Sequence, residues 1–388
     1  MKKTLGALAL GAALTLSACG GSGGDESGGG DTLKLALVAS LESPTTSLPM
    51  IEPSVKSAVA AINADGGVNG KKIELSVCND KANAEDLRRC VQDAIRDGAL
   101  GVVGLLTPHG ATAWPLLESA GLPALAPGAL QKADAQSPMS FPIDPGAVGL
   151  VGFPGAAQRV LKADDMVPVH LDEAFAAPNQ SYYEMGAKLS GLTLEEAINI
   201  PTDAVDYGPY VSRAEKSGAQ LVLGGLTTAT QLKWWKAVDE AGSDLKTVVS
   251  GGTVTPASLK EAGEAANGSI IIAGTPAAAK DNPTGAQFVA EMDEFEKGEV
   301  QTTVGMRAWA GVHLFAKAAE SIDGDVTRES LVKALNASSG EFLWIKDLQW
   351  KTDGPVDDLP RLTNWELYPS LVENSVPVPQ DAFDPFAS

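Results

Sequence analysis

Short apolar runs alternate with helix-length amphipathic stretches along this chain, and the alternation occurs twice. Residues 33–39 (LKLALVA) have the composition of a buried strand. A loop with Pro44 and Pro49 follows, and then Val55, Ala58, Val59 and Ile62 fall on one helical face. Asp65-Gly66-Gly67 ends that helix, because glycine relieves the left-handed turn at a helix C-terminus. Ile73, Leu75 and Val77 alternate as a strand, and Asn83 is placed to cap a helix with Leu87, Val91 and Ile95 on one face. Residues 101–106 and 123–126 read as further strands, with a helix over 112–120 between them. Strands separated by helices imply a parallel sheet covered on both faces.

A second set begins near Met166 (MVPVHL). It runs through a helix over 182–189, strands at 197–200, 220–224, 247–250 and 269–273, and a helix with Leu232, Trp235 and Val238 on one face. Trp234 and Trp235 are adjacent there, which predicts one facing inward and the other partly exposed. Helices follow over 284–297, 303–321 and 327–337. In the tail, 342–351 and 364–368 read as short antiparallel strands around an Asp353-Gly354 turn. The expected fold class is α/β, in two lobes of similar composition without a short internal repeat.

The first residues read as an address. Lys2 and Lys3 precede an apolar run over 5–16, too short to span a bilayer, and then Ser17, Ala18 and Cys19. A cysteine after Leu16-Ser17-Ala18 resembles the lipobox of bacterial lipoproteins, in which that cysteine is lipidated and becomes the mature N-terminus. Residues 20–31 (GGSGGDESGGGD) have no side chains to bury and read as a flexible tether. The same stretch matches GxSxG formally but lacks the flanking strand and helix of a nucleophile elbow. No second apolar stretch is long enough to cross a membrane, so a lipid would be the only anchor of an extracytoplasmic protein.

With 29 Lys and Arg against 49 Asp and Glu, the net charge is −20. That argues against a nucleic-acid partner and for a soluble monomer. Apolar residues at 44% and charged residues at 20% exclude a disordered polymer and a membrane bundle. After export two cysteines remain, Cys78 and Cys90, and an even count in an exported chain suggests a disulfide. Two cysteines with no nearby histidine make a poor zinc site, and the acidic residues are dispersed, so neither a metal nor another cofactor is expected.

Several stretches resemble the type I solute-binding proteins of bacterial ABC importers, of the leucine/isoleucine/valine-binding kind. They are AAINADGGVNGKKIELSVCND (60–80), AIRDGALGVVGLL (94–106), LLESAGLPALAPGAL (116–130) and GAQLVLGGLTTATQLKWWKAVDEAG (218–242). WAGVHLFAKAAE (309–320) and LQWKTDG (348–354) also fit. The resemblance implies two Rossmann-like lobes joined by three crossings near 141–145, 273–276 and 340–345, closing on a small solute. The expected division is a signal peptide over 1–18 and a lipidated Cys19 with its tether over 19–31. An N-terminal lobe would comprise 32–143 and 276–342, and a C-terminal lobe with the tail 144–275 and 343–388.

In parallel α/β sheets, ligands bind beyond the strand C-terminal ends, where helix N-termini offer unpaired N–H groups. That rule selects the loops 40–49, 107–112, 128–132, 173–179, 226–230 and 251–255. Placed on the family pattern, Thr107, His109 and Gly110 lie where relatives meet a ligand carboxylate. Ala129 and Leu130 follow in the next loop, Phe175 lies near an aromatic that covers the solute, and Thr227 near a second one. Thr253 falls where amino-acid binders place an acid for the α-ammonium. A buried ammonium without a carboxylate is costly, which points to a carboxylate or a neutral, partly apolar solute unless Glu42 or Glu173 supplies the charge.

His109 is either a ligand contact or a solvated loop side chain, whereas His170 and His313 read as structural. Arg307, at the start of a helix near the hinge, would meet an anionic ligand or form an ion pair. No HExxH, CxxC or dinucleotide fingerprint is present, and residues 65–72 match a phosphate loop only faintly, so no enzyme is expected. The function expected is delivery of a small organic solute to an ABC permease and its ATPase subunits. A ligand-sensing receptor domain that signals occupancy to a membrane partner is the alternative, since both use this fold.

Overall fold

The computed structural model describes residues 32–43, 47–173, 176–278, 282–350 and 354–387. The leader, Cys19, the tether, Pro44 and Phe175 lie outside the described residues. The first lobe begins with β1 (Thr32–Ala39), α1 (Ile51–Ala64), β2 (Lys72–Asn79), α2 (Ala84–Arg96) and β3 (Gly101–Val103). It continues with α3 (Gly110–Ser119), β4 (Ala124–Leu125), α4 (Lys132–Gln136) and β5 (Ser140–Phe141). These strands form one parallel sheet in the order β2-β1-β3-β4-β5. The apolar run of β1 is buried from Leu35 to Ala39, as a central strand covered on both faces must be. The Asn83 side chain caps α2 by accepting the N–H groups of Glu85 and Asp86, and Leu87, Cys90, Val91 and Ala94 form its buried face.

The second lobe comprises α5 (Gly152–Leu161), β6 (Met166–Leu171), α6 (Ala176–Leu189), β7 (Ile198–Ile200), α7 (Gly208–Lys216) and β8 (Leu221–Gly225). Then come α8 (Thr228–Glu240), β9 (Lys246–Ser250), α9 (Pro256–Ala262) and β10 (Ile270–Ala273). The chain returns to the first lobe with α10 (Pro283–Phe295), α11 (Thr303–Glu320) and α12 (Arg328–Ala337), and adds β11 (Tyr368–Glu373) and β12 (Val376–Pro379) to the second sheet. That sheet has the order β12-β11-β10-β9-β8-β6-β7, parallel except for β11 and β12.

Three sequence expectations need correction. Trp234 and Trp235 are both fully buried. Helix α8 is covered by the sheet and also by its neighbours α7 and α9, so two adjacent positions can face inward. Among the described residues the tail has no strands at 342–350 or 364–367. Phe342, Ile345 and Leu348 instead plug the core of the first lobe as irregular chain, and Trp350 packs edge-on against Phe141 and donates to the Pro142 carbonyl. The antiparallel hairpin lies further on, at β11 and β12, where Asn374 and Ser375 both take positive φ to make the tight turn.

The third crossing is accordingly not near 340–345. Arg361 still belongs to the first lobe, since its N–H donates to the Ala135 carbonyl and its Nε to the Ser140 carbonyl. Leu367 is already in the second-lobe core. Between them the Asn364 amide donates to the Ile143 carbonyl at 2.9 Å, which ties the third crossing to the first. The second crossing joins them at Gly274, where a Cβ would lie 2.7 Å from Asp144 Cβ.

Helix α11 is buried over most of its length and packs on α1. Glu291 of α10 fixes its azimuth, accepting from Trp309 Nε1 at 2.7 Å, His313 Nε2 at 3.1 Å and Gln287 Nε2 at 2.9 Å. Burial pushes the Glu291 carboxyl up, but the hydrogen bonds, chiefly from His313, outweigh it and hold the group below its ordinary value. A carboxyl lowered in the fold adds stability above its unfolded value, and that stability is lost as pH falls through the folded value. Unfolding free energy from urea titrations is therefore expected to drop between about pH 5 and 3 more steeply in the wild type than in Glu291→Gln. Equal slopes in the two proteins would contradict this.

Candidate functional site

The loops selected by the strand-end rule do follow the C-terminal ends of β1, β3, β4, β6, β8 and β9, and the loop after β2, which is not among them, joins those of the first lobe. In the first lobe they are tied to one another. The loop after β2 carries consecutive left-handed residues, Lys81 and Ala82. Its shape is held by Asp80, whose Oδ1 accepts from the Ser40 hydroxyl at 2.6 Å and from the Ala82 N–H. The Cys78–Cys90 disulfide anchors the base of that loop to α2. Ala82 in turn presents its carbonyl to Nε2 of His109 at 3.1 Å.

His109 occupies the N-cap position of α3, but its ring ties two loops together and does not cap the helix. Thr107 is buried and its Oγ1 accepts the His109 N–H at 3.2 Å. Gly110 opens α3 against Asp134, and a Cβ there would lie 2.1 Å from Asp134 Oδ1. Asp134 gave no signal in the sequence. It accepts from Trp114 Nε1 at 2.6 Å and from the Gln131 N–H at 2.7 Å, and Gln131 Nε2 donates to the Pro108 carbonyl. Burial, only partly offset by those bonds, pushes the Asp134 carboxyl up. These contacts lock 107–110 and 128–132 into one unit.

Within that unit Ala129 is buried, and its carbonyl accepts from the Ala147 N–H just past the first crossing. Leu130 is 36% exposed, an apolar side chain left open at the loop tip. In the second lobe Thr227 caps α8, accepting from the Thr230 N–H and donating its own N–H to Thr230 Oγ1. The Thr253 hydroxyl donates to the Ser250 carbonyl within a short turn. Both are therefore committed to local geometry, and no hydrogen bond or ion pair among the described residues joins them to Thr107 or His109. The loops after β8 and β9 place no acidic side chain at Thr227 or Thr253, and the nearby Asp172 and Glu173 are exposed.

His170, near the end of β6, donates from Nε2 to Gln180 Oε1 at 3.1 Å and stacks on Tyr183. Its burial pushes the imidazole below its ordinary value. Arg307 lies in a place the sequence could only approximate. It is 7% exposed, its Nη1 is 3.8 Å from Asp144 Oδ2, and it borders Gly128 of the cleft unit. Two surface grooves, of about 520 and 470 Å³, border α6 on the second lobe and contain none of these loop residues.

The profile of the periplasmic binding protein family matches residues 32–350. The chain belongs to this family. As a member it is a ligand binder and not an enzyme. Among solved structures, an ABC transporter substrate-binding protein from Sphaerobacter thermophilus superposes with a TM-score of 0.76 at 21% identity, covering 92% of this chain and 98% of that one. A solute binding protein of an ABC transporter from Rhodopseudomonas palustris, in complex with 3,4-dihydroxy benzoic acid, gives 0.74 at 20% identity over 92% and 98%. A leucine binding protein from Thermotoga maritima gives 0.74 at 13% identity over 91% and 99%. No curated protein matches the chain. The type I fold of this family, with two mostly parallel sheets as two lobes, is the fold described above.

Because Asp134 holds both cleft loops, Asp134→Ala leaves the Trp114 and Gln131 N–H groups buried without an acceptor. A loss of about 2–3 kcal/mol in unfolding free energy is expected. Asp134→Asn, which keeps one acceptor oxygen, is expected to lose less, and chemical denaturation of both variants checks the ranking.

Proposed function

We propose that this periplasmic binding protein captures a small organic solute between its lobes and delivers it to the permease of an ABC importer. The observation that carries the reading is the set of three crossings bundled at Ile143, Gly274 and Asn364, between two lobes that each carry their own sheet. Two lobes linked through such a bundle can hinge, and hinge closure buries a solute from both sides. Thr107, His109, Gly110, Ala129 and Leu130 form the first-lobe wall, and Thr227 and Thr253 the opposite one. Since Thr107, His109, Thr227 and Thr253 spend their side chains on loop shape, their contribution is to aim backbone N–H groups at the helix N-termini.

The lipobox-like Leu16-Ser17-Ala18-Cys19 supports export and lipidation at Cys19, with the Gly/Ser tether giving the lobes reach from the membrane. No described helix is long and apolar enough to cross a membrane, so a lipid on Cys19 would hold the protein there. Without an acid at Thr227 or Thr253, the solute is not a standard zwitterionic amino acid.

Calorimetric titration with leucine, isoleucine and valine is expected to give no sub-micromolar binding. A thermal-shift screen of organic acids and neutral solutes is expected to yield a compound that raises Tm, because a ligand bound only by the folded state stabilises it. Cys19→Ala is expected to move the protein from the membrane fraction to the soluble fraction. Tight binding of a branched-chain amino acid would remove the solute class, and a soluble wild-type protein would remove the anchor.

A further inference from the structure

We propose that Arg307 is the anion-recognising group of the cleft and that the solute presents a carboxylate to it. This rests on the reading of the interlobe space as the solute site and names the class of solute.

Arg307 stands one turn into α11, and the N-terminal end of that helix is where the parts of the site meet. The Thr275 hydroxyl of the second crossing donates to the Thr303 carbonyl at 3.3 Å. The second-lobe loop reaches the same point, since a Cβ on Gly251 would lie 3.3 Å from Thr303 Oγ1. On the first-lobe side the guanidinium lies against Gly128, where a Cβ would come within 2.7 Å of Nη1. Asp144 of the first crossing completes the surroundings. Arg307 is thus bounded by a cleft loop and a crossing, on a helix whose end touches the other lobe.

The hydrogen bonding of this guanidinium is incomplete. It offers five N–H donors and no acceptor, yet it makes no hydrogen bond to any described residue. The Asp144 oxygen at 3.8 Å is beyond hydrogen-bond range, and the other Asp144 oxygen accepts the Gly146 N–H at 3.0 Å. Nε is sealed from solvent without a partner, whereas Nη1 and Nη2 are not sealed. The open part of the side chain is therefore the fork of terminal nitrogens. A buried guanidinium without acceptors is unfavourable, and a carboxylate docked on its fork would satisfy two donors in parallel. Asp144 keeps the charge compensated at longer range, and it is the group a solute carboxylate would compete with. Gly128 leaves the fork uncovered, as any side chain there would strike it.

A purely structural hinge pair makes different predictions. The test is a thermal-shift and calorimetry series on the full chain with a library of monocarboxylates, 3,4-dihydroxybenzoate among them, each paired with its uncharged primary amide. At least one carboxylate is expected to raise Tm while its amide does not. Arg307→Gln is expected to weaken that carboxylate on the order of 10–100-fold, and Arg307→Lys, which keeps the charge but loses the fork, to weaken it less. Asp144→Asn, which keeps the acceptor for Gly146 but removes the competing charge, is expected to tighten it. Should Arg307→Gln fail to fold, Arg307→Lys and Asp144→Asn still report, because their opposite signs belong to anion recognition alone.

Unchanged carboxylate affinity in Arg307→Gln or Arg307→Lys overturns the proposal, and so does equal affinity for acid and amide. Binding of neutral solutes only would overturn the role of Arg307 and leave the solute-binding reading standing. A library in which no compound of any charge binds would remove both.

Discussion

Gly274 has no room for a side chain, because Asp144 and Pro145 lie against it, and Asn364 closes the same bundle through the Ile143 carbonyl. This close approach of three chain segments is what the rest of the molecule is built around. Each lobe has its own sheet and its own core, the first around β1 and α11, the second around β8 and β9. A smaller apolar cluster, with Ala129 and Ala135 on one side and Val148 and Val151 on the other, spans the first crossing. The bundle therefore bears on where the two sets of strand-end loops stand, and the first-lobe loop is tied to it at Ala129, whose carbonyl is held by Ala147 just beyond the crossing.

The elements legible in the sequence are those whose signal is local. A period of 3.6 residues and an Asn cap give α2 directly, and an unbroken apolar run gives β1. Helix α5 carries Gly152, Pro154 and Gly155 in its first turn and is buried along Gly152 to Ala157, so it shows neither a good propensity nor a polar face. The tail misleads for a related reason. Residues 342–350 are apolar enough to read as a strand, but Phe342, Ile345 and Leu348 fill the first core as irregular chain. Moving the third crossing from 340–345 to the stretch between Leu362 and Leu367 follows from that single displacement. Burial of both Trp234 and Trp235 depends on α7 and α9 flanking α8, which no window on one helix contains.

For the site the pattern is similar. Topology places the selected loops at strand C-terminal ends, because those ends in a parallel sheet are fixed by the order of strands and helices. The use of each side chain is not fixed by topology. Thr107, His109, Thr227 and Thr253 are polar residues in the right loops, and the structure commits each of them to a turn, a cap or a loop tie. The residues that lock the first-lobe wall, Asp80, Gln131 and Asp134, meet partners that are distant in sequence or hidden in a turn, and one sequence carries no mark of such pairing. The consequence is chemical. In the proposed wall, hydroxyls and imidazole already occupied would leave mainly backbone N–H groups, which would favour an acceptor-rich, anionic end over a donor such as an ammonium.

Electrostatics then separates into two scales that carry opposite signs. The chain's −20 is a property of its outer surface, and at physiological ionic strength such charges are screened beyond a Debye length of about 8 Å. Surface charge of that kind slows the approach of an anion without deciding which ligand stays bound. Inside the cleft the effective dielectric is lower and a single charge dominates its neighbourhood. The charge buried beside Gly128 is a guanidinium with Asp144 too far away to take its hydrogen bonds. A strongly acidic protein can thus present a locally cationic site, and net charge read from composition gives no warning of it. On the proposed reading, the sign of the solute would follow from which donors are left without acceptors where the lobes meet.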